Sequence, residues 1–128
     1  MKEPYWLTRP EALALHDLMI LQYGGLPGIR DENLFESALA KPKNLFAYAR
    51  PTMPQLAAGY AAGIIKNHPF LDGNKRAGFM LGVGFLERNG FHFIAGEADA
   101  VMQTLALAAG ETTETEYAAW LKLNSKKR

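Results

Sequence analysis

The chain has no cysteine, which removes disulfides, thiolate catalysis and cysteine-bound zinc in one step. Histidine is scarce as well, and three imidazoles without a thiolate leave little from which to build a transition-metal centre. Long apolar runs are missing. The longest that counts glycine, Ala77 to Leu86, falls well short of the ~20 residues that span a bilayer. The opening stretch MKEPYWLTRPEA lacks the apolar core of a signal peptide. Nor does one sign of charge dominate: 14 Lys and Arg against 13 Asp and Glu give a formal net charge of +1. Such a balance offers no general attraction to nucleic acid or to an anionic membrane. The absences together predict a cytoplasmic protein with neither partner, whose electrostatic work is local.

What is present is ordinary globular composition, 48% apolar and 21% charged over 128 residues. That suffices for a single domain over residues 1–128 with a core that needs no metal or disulfide staple. Thr8 with Glu11 reads as a capping box, with Pro10 in the first turn where its missing N–H costs nothing. Leu13, Leu15, Leu18, Met19 and Leu21 then give an amphipathic helix that stops at Gly24-Gly25. GGLPGIR is turn chemistry. Asp31 caps a second helix, DENLFESALAKP, whose Leu34, Phe35, Ala38 and Leu39 share a face and which Pro42 closes.

Residues 43 to 54 have no clean period and carry two prolines, so an irregular loop is expected, with a short helical turn at Leu45 to Tyr48. Pro54 opens a third helix, PQLAAGYAAGIIKNH, whose small residues suit a central position that neighbours approach closely. NKRAGFMLGVGFLERN reads as a fourth helix with Gly90 at its C-terminal cap. FHFIA is a short extended stretch, and a fifth helix covers roughly Glu97 to Ala109. Thr113 with Glu116 caps a sixth, TEYAAWLKL, and the polar tail NSKKR is expected to fray. Six helices with short connections and no internal repeat make an all-α bundle.

One segment carries concentrated chemistry: HPFLDGNKRAG, residues 68–78. A capped turn accounts for part of it. Pro69 keeps His68 out of the helix, Gly73 supplies a positive φ, and Asp72 or Asn74 could cap the helix that follows. Lys75 and Arg76 do not fit that account. Cations in a first turn face the positive end of the helix dipole, at a cost of about 0.3–1 kcal/mol each. Their placement makes sense if an anion occupies that helix N-terminus, where backbone N–H groups and two cationic side chains converge on phosphate oxygens. Asp72 then gains a second use, since one carboxylate beside substrate phosphates is the usual way Mg²⁺ is held. His68, across the loop, is the residue type that takes a proton from a hydroxyl at neutral pH. Base, metal carboxylate and phosphate cradle are the parts of a phosphoryl or nucleotidyl transfer site.

HPFLDGNKRAG also resembles the signature loop of the Fic/Doc superfamily, and GNKR resembles its Doc (death-on-curing) branch. The upstream run ALHDLMILQYGGLPGIRDENLFESALAKP is similar to the N-terminal pattern of Doc-like toxins, so the likeness covers nearly the whole chain. The resemblance implies an all-α Fic fold and a bacterial toxin paired with a separate, Phd-like antitoxin. It implies phosphorylation of a threonine hydroxyl of elongation factor Tu with ATP and Mg²⁺, arresting translation. Relatives with glycine at the position of Lys75 transfer AMP instead. By the same likeness His68 is the general base, Asp72 the metal carboxylate, Gly73, Asn74, Lys75 and Arg76 the phosphate loop, and Phe70 its apolar anchor. The chain departs from the full pattern at Phe79, where a second arginine stands, and at Met80, where some Doc-like toxins have asparagine. It also lacks the self-inhibitory helix of some relatives, so inhibition is expected to come from a partner. AMP transfer and a catalytically dead binding module remain the alternatives.

Elsewhere His16-Asp17 reads as a surface or structural pair, because helix neighbours point in different directions. His92 reads as a half-buried polar group. Lys41, Lys43 and Arg50 form a solvated rim or a docking surface, and Leu45 to Arg50 fall where related folds carry a target-positioning flap.

Overall fold

The alanine- and glycine-rich segment forms the central helix. In the computed structural model, which describes residues 2–128, the order is α1 (Arg9–Tyr23), α2 (Glu32–Tyr48), α3 (Met53–Asn67), α4 (Asn74–Arg88), β1 (Phe91–Phe93), α5 (Glu97–Ala109), α6 (Glu114–Leu123) and β2 (Ser125–Lys127). The architecture is all-α with six helices, as the periodicity predicts, and one two-stranded antiparallel ribbon is added. None of these helices is long and apolar enough to cross a membrane. The capping boxes at Thr8 and Thr113 form, and a third forms between Thr52 and Gln55.

From Leu56 to Ile65 every residue of α3 is buried, because α2, α4, α5 and α6 all pack against it. Small residues set how close they come. A Cβ on Gly78 or Gly82 of α4 would stand 2.9 Å from the carbonyl oxygen of Ala61 or Ala57 on α3. On another side of α3, Gly59 and Gly63 receive Pro42 and Ala38 of α2.

That second contact explains a departure from expectation. Pro42 does not close α2; the helix runs through it to Tyr48, so residues 43–48 are helical rather than an irregular loop. An interior proline costs about 3 kcal/mol through its missing N–H and ring clash. Here the ring is buried on Gly59, and the Ala38 carbonyl that Pro42 cannot bond lies against the bare Cα of Gly63. Tertiary packing overrides the local signal. Lys41, expected on a solvated rim, reaches Glu114 at 2.6 Å and ties α2 to α6.

The tail is not frayed either. Ser125, Lys126 and Lys127 pair with Phe93, His92 and Phe91. Arg128 then closes the ribbon, donating to the Glu87 carboxylate, to the Phe91 carbonyl at 3.2 Å, and through its N–H to Gly90 at 2.9 Å. His92 is exposed rather than half-buried, with Nδ1 3.3 Å from Glu87. Burial raises the Glu87 pKa, but the Phe93 N–H, the Arg128 guanidinium and His92 outweigh it and hold the carboxyl below its usual value.

Two outcomes follow from this packing. Gly82→Ala gains up to about 1 kcal/mol of helix propensity but overpacks the α3–α4 contact at a cost of about 1–3 kcal/mol, so urea denaturation should show a net loss. A depressed carboxyl contributes stability that is present above its unfolded pKa, near 4.5, and lost as pH falls through the folded value. Melting temperature measured from pH 6 to pH 3 should therefore fall less steeply in Glu87→Gln than in the parent chain.

Candidate active site

The site begins where α3 ends. Pro69 forces His68 out of the helix, and His68 takes a left-handed conformation with φ 49° and ψ 54°. It is the one non-glycine residue with positive φ among the described residues, a strain of about 1–3 kcal/mol that surrounding structure must hold. Arg30 holds it. Its Nε donates to the His68 carbonyl at 2.7 Å and its Nη2 to that of Asn67 at 3.0 Å, a cation seated on a helix C-terminus. The Arg30 and Asp31 N–H groups donate to Pro69 at 2.6 and 3.1 Å, and Leu71 donates to Gly28 at 3.1 Å. The glycine-rich 24–31 loop thus runs beside the 68–73 loop, with Ile29 bridged to Phe70.

Helix α1 is the floor. Phe70, 1% exposed, stacks face to face on His16 with centroids 3.8 Å apart and planes within 5°. Phe35 closes on its other side at 5.3 Å. Met19 lies under Gly73, where a Cβ would come within 2.5 Å of its methyl. Tyr23, one turn on, carries the Arg76 guanidinium on its ring at 3.8 Å. Positions 16, 19 and 23 share one helix face by spacing.

Asn74 ties the loop shut. At 6% exposure it accepts from the Phe70 N–H at 2.9 Å and donates to the Phe70 carbonyl at 3.1 Å. Those two bonds fix which side of the amide is nitrogen, and that nitrogen faces His68 Nδ1 at 3.4 Å. A neutral ring with its proton on Nε2 would accept at Nδ1 from that amide. The Asn74 side chain is therefore spent on the loop and on orienting His68, which leaves its backbone N–H, without an intrahelical acceptor, as its one donor for an anion.

Asp72 is exposed. One carboxylate oxygen accepts the Leu26 N–H at 3.2 Å, the other the Gly73 N–H at 2.9 Å. Each oxygen keeps lone-pair capacity, the donor set of a hard cation shared with phosphate. No cluster of three His, Cys, Asp or Glu that could hold a metal by itself occurs among the described residues. A hard cation at Asp72 would need its remaining oxygens from phosphate or water.

Gly73, at φ 72°, is the N-cap of α4, and no side chain caps that end. The helical ladder opens with Ala77 donating to Gly73, so the N–H groups before it have no intrahelical acceptor. Lys75 and Arg76 stand exposed in this first turn, and neither joins an ion pair among the described residues. The Tyr23 stack occupies the face of the Arg76 guanidinium and leaves its in-plane N–H donors free. Beyond them a cleft of about 510 Å³ opens between α4 and α5, with Phe79, Met80, Val83 and Phe93 among its apolar walls. The two departures at Phe79 and Met80 thus line a cavity.

The loop residues singled out in the sequence converge here. Leu45 to Arg50 do not; Leu45 to Tyr48 form the last turn of α2, and the segment beside the loop is 24–31. Arg30 and Tyr23 were not foreseen, and nothing in local pattern marks a cation that caps a helix 37 positions away.

A family model described as Fic/DOC matches residues 6–86, the stretch from before α1 into α4. The chain belongs to the Fic/DOC family. Over 117 residues, 91% of this chain and 92% of the relative, it is 32% identical to protein kinase doc of Escherichia phage P1. It is also 32% identical over 78 residues to Toxin Doc of Mycolicibacterium smegmatis, 59% of each chain. The Fic/DOC match contains the whole 68–76 loop and its α1 floor.

The loop residues divide by what they touch, and stability measurements should separate them. Asn74→Ala leaves buried Phe70 groups unpaired and should lose about 1–3 kcal/mol in urea denaturation. Lys75→Ala removes an exposed cation from the positive end of a dipole and should stay within about 0.5 kcal/mol of the parent or rise slightly.

Proposed function

We propose that this Fic/DOC protein is the toxin of a toxin–antitoxin pair and acts as an ATP-dependent protein kinase on a threonine or serine hydroxyl of a translation factor, elongation factor Tu or one like it. One observation carries the reading: His68 is held by Asn74, the first residue of α4, at the uncapped N-terminus where Lys75 and Arg76 stand. A base and an anion cradle share one rigid turn. The names protein kinase doc and Toxin Doc, borne by its relatives, support the reaction class and the toxin role. Lys75, where AMP-transferring relatives have glycine, favours attack at the γ-phosphate.

In this scheme the His68 imidazole, oriented by Asn74, takes the hydroxyl proton. The freed oxygen attacks the γ-phosphorus, the bond to the β-phosphate oxygen breaks, and ADP leaves. Lys75 places a point charge, and Arg76 a planar fork, against the oxygens on which charge builds. The free α4 amides add fixed dipoles. Asp72 is the residue that would hold magnesium, which when bound would supply neutralisation of phosphate charge. A separate Phd-like antitoxin would supply the inhibition.

Incubation of purified elongation factor Tu with ATP labelled separately at the α and γ positions tests this. The γ label should reach the factor and the α label should not, and His68→Ala should reduce transfer on the order of 10²- to 10⁴-fold, the usual worth of a positioned base. Arrival of the α label would mean nucleotidyl transfer, and arrival of neither, with toxicity kept in His68→Ala, would mean a binding module.

A further inference from the structure

His16 is 1% exposed, and the proposed chemistry does not use it. A histidine is an expensive residue to bury, and a phenylalanine would stack on Phe70 as well. What the imidazole adds is a donor: Nε2 lies 2.9 Å from the backbone carbonyl oxygen of Asp72, and only a protonated nitrogen can face a carbonyl there.

That carbonyl belongs to the same planar unit as the Gly73 N–H. The N–H is tied as well, to Asp72 Oδ1 at 2.9 Å. Both ends of the Asp72–Gly73 peptide are therefore held, one by α1 and one by the carboxylate. The peptide needs holding, since Gly73 has φ 72° and glycine passes between the two hands of backbone at little cost. A rotated peptide would bring the carbonyl oxygen to where the N–H now meets the carboxylate. Two negative ends would then oppose each other, and the Asp72 side chain would have to leave.

We propose that His16 is a positioning residue that locks the Asp72–Gly73 peptide against rotation and so keeps the Asp72 carboxylate and the start of α4 in register. The role is specific to the Nε2 donor. The stack on Phe70 anchors the ring so that the donor arrives at a fixed angle. The catalytic part of the proposal rests on the phosphotransfer reading; the locking of the peptide does not.

The experiment compares His16→Phe, which keeps the stack and removes the donor, with His16→Gln, whose amide nitrogen reaches to a similar depth. In nitrogen-15 relaxation dispersion, the Gly73 amide should show microsecond-to-millisecond exchange in His16→Phe and little in the parent chain or in His16→Gln. With ATP and elongation factor Tu, kcat for γ-phosphate transfer should fall on the order of 10- to 100-fold in His16→Phe. KM for the protein acceptor should hold, and His16→Gln should recover most of the loss. A quiet Gly73 amide in a folded His16→Phe variant overturns the lock. Exchange at Gly73 with unchanged kcat overturns its catalytic consequence. If the parent chain transfers no phosphate, the phosphotransfer reading fails by itself, and the dispersion result still decides for or against the lock.

Discussion

The site depends on one closed turn. Asn74 bonds both the N–H and the carbonyl of Phe70, which fixes five residues of backbone with a single side chain. Phe70 in turn is driven into the core between His16 and Phe35. The polar clasp sets the shape of the loop, and the buried ring sets where that shape sits. His68, Asp72 and the first turn of α4 are placed by that turn together with contacts from α1 and the 24–31 loop, and the exposed side chains remain free to meet a ligand.

Helix α1 and the 24–31 loop carry that turn from two sides. Along α1, His16, Met19 and Tyr23 meet Phe70, Gly73 and Arg76 in sequence, so the helix acts as a ruler laid under the loop. From the other side Arg30 seats itself on the end of α3 and keeps His68 left-handed. The Leu26 N–H holds one oxygen of Asp72. Gly25 is needed there, because a Cβ would stand 2.7 Å from that oxygen at a φ of 119°. The rigid scaffold and the polar loop divide the labour: stability resides in Phe70, Asn74 and the glycines, and the proposed chemistry in the residues that stability leaves exposed.

Local chemistry was legible in the sequence wherever one residue type has one physical use at one spacing. The caps at Thr8 and Thr113, the glycine turns, the small-residue face of α3 and the unexplained cations at Lys75 and Arg76 all belong to that class. What was not legible depends on partners far along the chain. Pro42 looks like a helix end until Gly59 and Gly63 are seen beneath α2. The NSKKR tail looks frayed until Glu87 and β1 supply its pairing. Asn74 reads as a phosphate residue by position, yet its side chain turns back to Phe70, four residues away. His16 reads as a surface or structural residue, and only its 2.9 Å contact with the Asp72 carbonyl ties it to the 68–73 loop.

The central claim is that the N-terminus of α4 is an anion site. Its most direct measurement is a titration of the nitrogen-15-labelled chain with ATP, following the backbone amides. Saturable shifts should centre on Asn74, Lys75 and Arg76 and weaken strongly in Lys75→Glu, whose added carboxylate repels the same anion. Shifts that leave these amides untouched, or that survive unchanged in Lys75→Glu, would contradict the account.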